Sequence, residues 1–433
     1  MFSKSENRQA PGIIGKDELL MRFLHLSDLH LGKMLYGVSL LDNGDQPDWV
    51  GKLLAVAEEK RPDAVVIAGD VYDRSMPSGA AMQLFSQMVT ELSNRNVPVL
   101  IAAGNHDSGE RISCFKDILA QQNVFIAGEP QREITHVTLS DENGPVTFWL
   151  LPYVFPAAVA KILEDDTIHD YDTAVRRLLA QQHVDFSQRN VIVAHQNVTN
   201  CGKEGIRGGS ESMVGGVGQV DYTAFDGFDY AALGHIHAAY AIGRETVRYA
   251  GSAMCYHFDE LRQPKKGPVY VELGEKGTEP QIETLTIPPL HPMYELRGTY
   301  DELRAKAATV ENGAYVKLVL TDCAMTPEIS AYFQALFDSR GSVLMERLSE
   351  FRRFSELQGC SASGDLRQRP VDELFMEFYS LRSVDSESLD EGDAALLRYA
   401  AELLRNSDAG ADGKYVDPKL PEQMLEFLSK EGN

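Results

Sequence analysis

Five short apolar runs in the first 240 residues constrain this chain most: MRFLHL, AVVIAGD, VPVLIAAGN, NVIVAH and YAALGH. Each has the length of a strand, three of them are rich in β-branched residues, and each ends in or runs directly into polar side chains of the kind that bind ions. NVFIAG and VTFWLLPY have the same strand character. Helices are expected between them. In residues 78–95, Ala81, Leu84, Phe85, Met88, Val89 and Leu92 recur at i, i+3 and i+4, which assigns one face of that helix to a core. Strands alternating with helices predict an α/β fold whose strand ends and following loops carry a site. The catalytic domain is expected over residues 21–287.

Residues 1–20 are polar and broken by Pro11, Gly12 and Gly15, and read as a disordered leader. Pro288, Pro289 and Pro292 mark a linker, after which residues 291–350 run β-α-β-α-β and predict a small α+β capping domain. A polar stretch, 351–369, leads to 370–433, where PVDELFMEFYSL and DEGDAALLRYAAELL predict two helices, the second opened by a capping box of Ser388 and Glu391. No run approaches the ~20 apolar residues of a membrane helix, and no signal peptide is evident, so the expectation is a cytoplasmic protein without membrane contact. Five scattered cysteines with no CxxC spacing point to reduced thiols. A net charge of -23 argues against a nucleic-acid surface, because a duplex repels acidic protein.

Against that stands the chemistry of the motifs. SDLHLG carries Asp28 and His30; GDVYDR carries Asp70; AAGNHDSGER carries Asn105, His106 and Asp107. His195 ends NVIVAH, and GHIH supplies His235 and His237. His25, His136, His169, His183, His257 and His291 have no such pattern around them. Histidine with carboxylate and no thiolate suits manganese, iron or zinc. The seven candidate ligands Asp28, His30, Asp70, Asn105, His195, His235 and His237 exceed what one tetrahedral ion can use. Two ions held ~3.5–4 Å apart by a shared carboxylate, for which Asp70 is the candidate, would activate water and neutralise a phosphate. The expected reaction is phosphate-ester hydrolysis, with His106 free to protonate a leaving oxygen or stabilise the transition state.

The set DLH, GDVYD, GNHD, AH and GHIH resembles the calcineurin-like metallophosphoesterase superfamily. SDLHLGK, GDVYDRS, GNHDSGER, ALGHIH, VRYAGSAMCYHFDE and PVDELFMEFY look like a bacterial branch of nuclease subunits that work with an SbcC-type coiled-coil ATPase. This resemblance implies a two-sheet sandwich flanked by helices. It implies two divalent ions, manganese foremost, one held by Asp28, His30, Asp70 and His237 and the other by Asp70, Asn105, His195 and His235, with His106 catalytic. Asp73 stands where archaeal and eukaryotic relatives carry a second catalytic histidine, and is a further catalytic candidate. The implied activity is 3′ to 5′ exonuclease and hairpin endonuclease on DNA, in repair, recombination and replication, by a homodimer within a heterotetramer. The C-terminal segment would dock on the ATPase, and residues 372–433, with 15 Asp and Glu against 6 Lys and Arg, contribute -9 of the charge outside the catalytic domain. Arg74, Arg111, Arg207, Arg262, Lys265 and Lys266 are candidates for DNA phosphates, and the Gly-rich loop after His195 follows no pattern of the family. The metal motifs alone also suit a phosphodiesterase or phosphatase of small phosphate esters, and a non-catalytic scaffold is disfavoured because all seven ligands are present.

Overall fold

The computed structural model describes residues 20–200, 218–263 and 266–351. Two six-stranded sheets form the catalytic region. The first runs Gln281–Thr284, Val269–Leu273, Met21–Leu26, Ala64–Ala68, Val99–Ala102, Val124–Ala127 from edge to edge, the last four strands parallel. The second runs Ala241–Ile242, Arg244–Tyr249, Tyr230–Gly234, Arg189–His195, Gly144–Leu151, Thr135–Asp141, with four central parallel strands and an antiparallel strand at each edge.

The ligand-bearing runs are apolar throughout because both faces of each sheet are covered. Val65 and Ile67 face helices Asp45–Lys60 and Gly79–Asn94, while Val66 and Ala68 face the other sheet. Between the sheets, Phe23 meets Phe148 and Tyr230 edge-on, each with ring centroids 5.5 Å apart. Helices Pro156–Leu163 and Tyr171–Ala180 cover the outer face of the second sheet, with Val159, Ala174, Val175 and Leu178 in its core. The helix expected over 78–95 spans Gly79–Asn94, capped by Ser78, and buries all six residues of its apolar stripe.

Beyond the proline-rich linker, Met293–Gly298, Tyr315–Leu320 and Val343–Ser349 form a parallel three-stranded sheet. Helices Tyr300–Ala307, with a capping box of Thr299 and Glu302, and Pro327–Asp338 connect its strands. It meets the catalytic region through Leu35, Leu40, Tyr256 and Tyr315, and the Tyr315 hydroxyl donates to Asp45 at 2.6 Å. The leader, the C-terminal helices, Arg207, Lys265 and most of the Gly-rich loop lie outside the described residues.

Candidate metal centre

Parallel strands in both sheets end at one rim, where the ligand loops leave them. The first two loops run side by side: Asp28 N–H donates to Gly69 O at 3.0 Å, His30 N–H to Asp70 O at 3.0 Å and Leu31 N–H to Val71 O at 2.9 Å. Asp28, His30, Asp70 and His235 all adopt positive φ, between 42° and 101°, a region uncomfortable for residues with a Cβ. The third loop is tied to the second by buried Asp107, whose carboxylate accepts from the N–H groups of Gly104, Val71 and Tyr72. Burial, and then the nearby Asp70 charge, lift the Asp107 carboxyl to about 6.

The ligand atoms converge. Donor atoms of Asp28, His30 and His237 lie within 4.8 Å of one another, as do those of His30, Asp70 and His106, and those of Asp28, Asp70 and His195. His30 Nε2 and His237 Nε2 are 3.3 Å apart, with Asp70 Oδ2 3.7 Å from His30 and Asp28 Oδ1 3.9 Å from His237. On the other side of Asp70, its Oδ2 is 3.3 Å from His195 Nε2, and Asn105 Oδ1 lies 3.0 Å from His195 Nε2 and 3.1 Å from His235 Nδ1.

Proton placement shows what this arrangement suits. His237 Nδ1 faces the Glu260 carboxylate at 3.2 Å, and His195 Nδ1 faces the Ala68 carbonyl at 2.7 Å, so each Nδ1 carries the proton and donates it. Each Nε2 then presents a lone pair, that of His195 aimed at two oxygens that are themselves acceptors. A cation or an added proton satisfies that geometry. The titration follows: burial alone would lower His195, but Asp70 outweighs it and raises the imidazole to about 9. The reciprocal effect overcomes burial at Asp70 and holds its carboxyl far below the usual range. His235 is pushed down to about 4 by burial and by the neighbouring His195. The oxygen and imidazole donors, without thiolate, fit a divalent ion of borderline hardness.

Three glycines make the convergence possible. A Cβ on Gly69 would overlap the His195 ring, one on Gly234 would overlap the Ala68 carbonyl to which His195 donates and crowd the ring itself, and one on Gly104 would overlap the Asp70 carboxylate. Sequence reading passed over these residues, although the repeated Gly-ligand dipeptides GD, GN and GH were a usable signal.

His106 is partly exposed; its N–H donates to Asp70 Oδ1 at 2.9 Å and its Nδ1 to the Asp73 carbonyl at 2.8 Å, which leaves Nε2 available. The Asp73 carboxylate accepts from Lys33 Nζ at 2.8 Å and lies 3.5 Å from His30 Nδ1, behind the ligands rather than among them. Arg74 and Arg111 are exposed beside the ligand loops, as is Arg262. Lys266 is a correction to the sequence reading: it is buried, and its ammonium donates to His237 O, Ser252 Oγ and Glu260 Oε2, so it has no proton to offer DNA. Glu260 and Ser252 were not singled out from sequence at all.

Residues 21–239 match the family described as Calcineurin-like phosphoesterase. The SbcD subunit of the nuclease SbcCD from Staphylococcus saprophyticus subsp. saprophyticus is 31% identical over 292 residues, which cover 65% of this chain and 73% of that protein. Its counterpart from Staphylococcus epidermidis, of the same name, is 30% identical over 342 residues, covering 73% of this chain and 86% of that protein. Among the described residues no helix is long and apolar enough to cross a membrane.

Proposed function

The chain belongs to the calcineurin-like phosphoesterase family, and from that premise we propose that it is the metal-dependent nuclease subunit of a complex of the SbcCD type. The substrate is DNA, cleaved at phosphodiester bonds as a 3′ to 5′ exonuclease and hairpin endonuclease. The observation that carries this reading is the ring of lone pairs around Asp70, combined with relatives named as nucleases over most of the chain.

Asp28, His30, Asp70 and His237 would hold one divalent ion, and Asp70, Asn105, His195 and His235 the other; the donors suit manganese, iron or zinc, and the family resemblance singles out manganese. Bound there, the ions supply an activated water at neutral pH and neutralise phosphate charge. The chain contributes orientation and a proton. The Asp73 carbonyl holds the His106 ring through Nδ1–H, which leaves Nε2 as the nitrogen that would pass a proton to a leaving oxygen. Arg74 and Arg111 are exposed and would meet the DNA backbone. Met76, Met82, Phe115 and Ile118 are exposed apolar side chains on segments following the ligand loops, which favours a homodimer there. An SbcC-type ATPase completes the assembly in the cytoplasm, where the free cysteines Cys114, Cys255 and Cys323 stay reduced.

The test is cleavage of a DNA hairpin by the purified chain with manganese, with and without its ATPase, for wild type and His106→Ala. We expect the variant to lose about 10²–10⁴ in rate while retaining its metal. Hydrolysis of small diesters with no cleavage of any DNA end would instead favour a small-substrate phosphodiesterase.

A further inference from the structure

His237 is gripped at both its side chain and its backbone by one buried ion pair. Glu260, fully buried, reaches the imidazole with Oε1, 3.2 Å from His237 Nδ1. Its Oε2 accepts from Lys266 Nζ at 2.6 Å and from Ser252 Oγ at 3.3 Å. Lys266 Nζ donates in turn to the His237 main-chain carbonyl at 2.7 Å, which Ser252 N–H also reaches at 3.1 Å. The carboxylate therefore fixes the ring while the ammonium fixes the backbone that carries it.

Burying both charges is a poor route to stability, since desolvation cancels most of their attraction and apolar replacements commonly serve as well. The geometry offers another use. We propose that Glu260, backed by Lys266, is a positioning residue that locks His237 as the Nδ1–H tautomer, aims its Nε2 lone pair at Asp28 and His30, and sets the affinity of one ion site independently of the other. The inference rests on the metal-site reading above. Among the described residues no equivalent carboxylate backs His195, whose Nδ1 meets a main-chain carbonyl. A carboxylate behind a ligating histidine raises its basicity and is worth about 10–100-fold in metal affinity.

The experiment is calorimetric titration of the full, metal-stripped chain with manganese, comparing wild type with Glu260→Gln. One of the two binding steps should weaken about 10–100-fold while the other stays within about threefold. The manganese concentration for half-maximal hydrolysis should rise by a similar factor, with kcat recovered at saturation. Because Glu260→Gln leaves Lys266 charged and buried, the double variant Glu260→Gln/Lys266→Met removes both charges and guards against misfolding. If the folded double variant binds both ions as wild type does, or loses both equally, the positioning role is overturned. The titration uses no DNA, so failure of the nuclease assignment would appear separately, as normal selective weakening without hairpin cleavage.

Discussion

The two halves of the metal centre are built by different means. Asp28, His30 and His237 are supported from behind by charged side chains: Asp73 with Lys33 near His30, and Glu260 with Lys266 at His237. In the other half His195 is supported by main chain and by missing side chains: it donates to Ala68 O and packs against Gly69 and Gly234. A half held by charges can be tuned by isosteric substitution. A half held by backbone contact has no such adjustment, and it fails when an atom is added.

Asp70 belongs to both halves, so Asp70→Asn should produce the largest effect. Metal content after dialysis should fall from two ions to fewer than one, and hydrolysis at least about a thousandfold. A variant that kept one half loaded at wild-type affinity would show that the halves do not share Asp70. The next effect is a pH dependence confined to the second half. Because His195 sits at about 9, an ion entering at neutral pH must displace its proton. Affinity there should rise about tenfold per pH unit between 7 and 9, some hundredfold in all, and binding heats at pH 7 should depend on buffer ionisation. The ion-free protein should show the opposite trend. A raised folded-state value gives stabilisation that is complete below the unfolded value of 6.5 and lost as pH climbs through about 9, so the ion-free Tm should drop over that interval.

Gly69→Ala should be milder in energy but specific in place. The glycine has φ of 83°, and the added Cβ overlaps His195, so about 2 kcal/mol of stability should disappear together with the second ion. Chemical denaturation with metal analysis checks both; loss of the first ion instead would break the comparison. Asp73→Ala should be the smallest effect. Its carboxylate supports His30 and Lys33, while His106 is held by the Asp73 carbonyl, which the substitution retains. A loss below about tenfold in rate is expected, against the 10²–10⁴ of a proton-transfer residue.

What was legible in the sequence follows the same division. The ligand-bearing strands could be read because burial on both faces makes them apolar throughout, and the ligands because polar residues at strand ends interrupt that pattern. The pairing of two sheets could not be read from the runs themselves, since nothing in Phe23 says that it will meet Phe148 and Tyr230; only the resemblance supplied it. Lys266 was misread because KKG looks like a solvated basic turn, and its burial depends on Glu260 and Ser252, each of which bonds it only in the folded chain. Glu260 stayed hidden in HFDE because its partner His237 is 23 positions away with no motif joining them. The supporting glycines were visible only as repeated Gly-ligand dipeptides, and their role was hidden for a related reason: the collision that requires Gly69 is with His195, from the opposite sheet.

Those glycines change how active and inactive members of such a family should be told apart. A chain can keep every ligand letter and still lose its chemistry through one methyl group at position 69, 104 or 234. Counting ligands is therefore an incomplete test of competence, and the residues to inspect first are the ones that contribute no side chain.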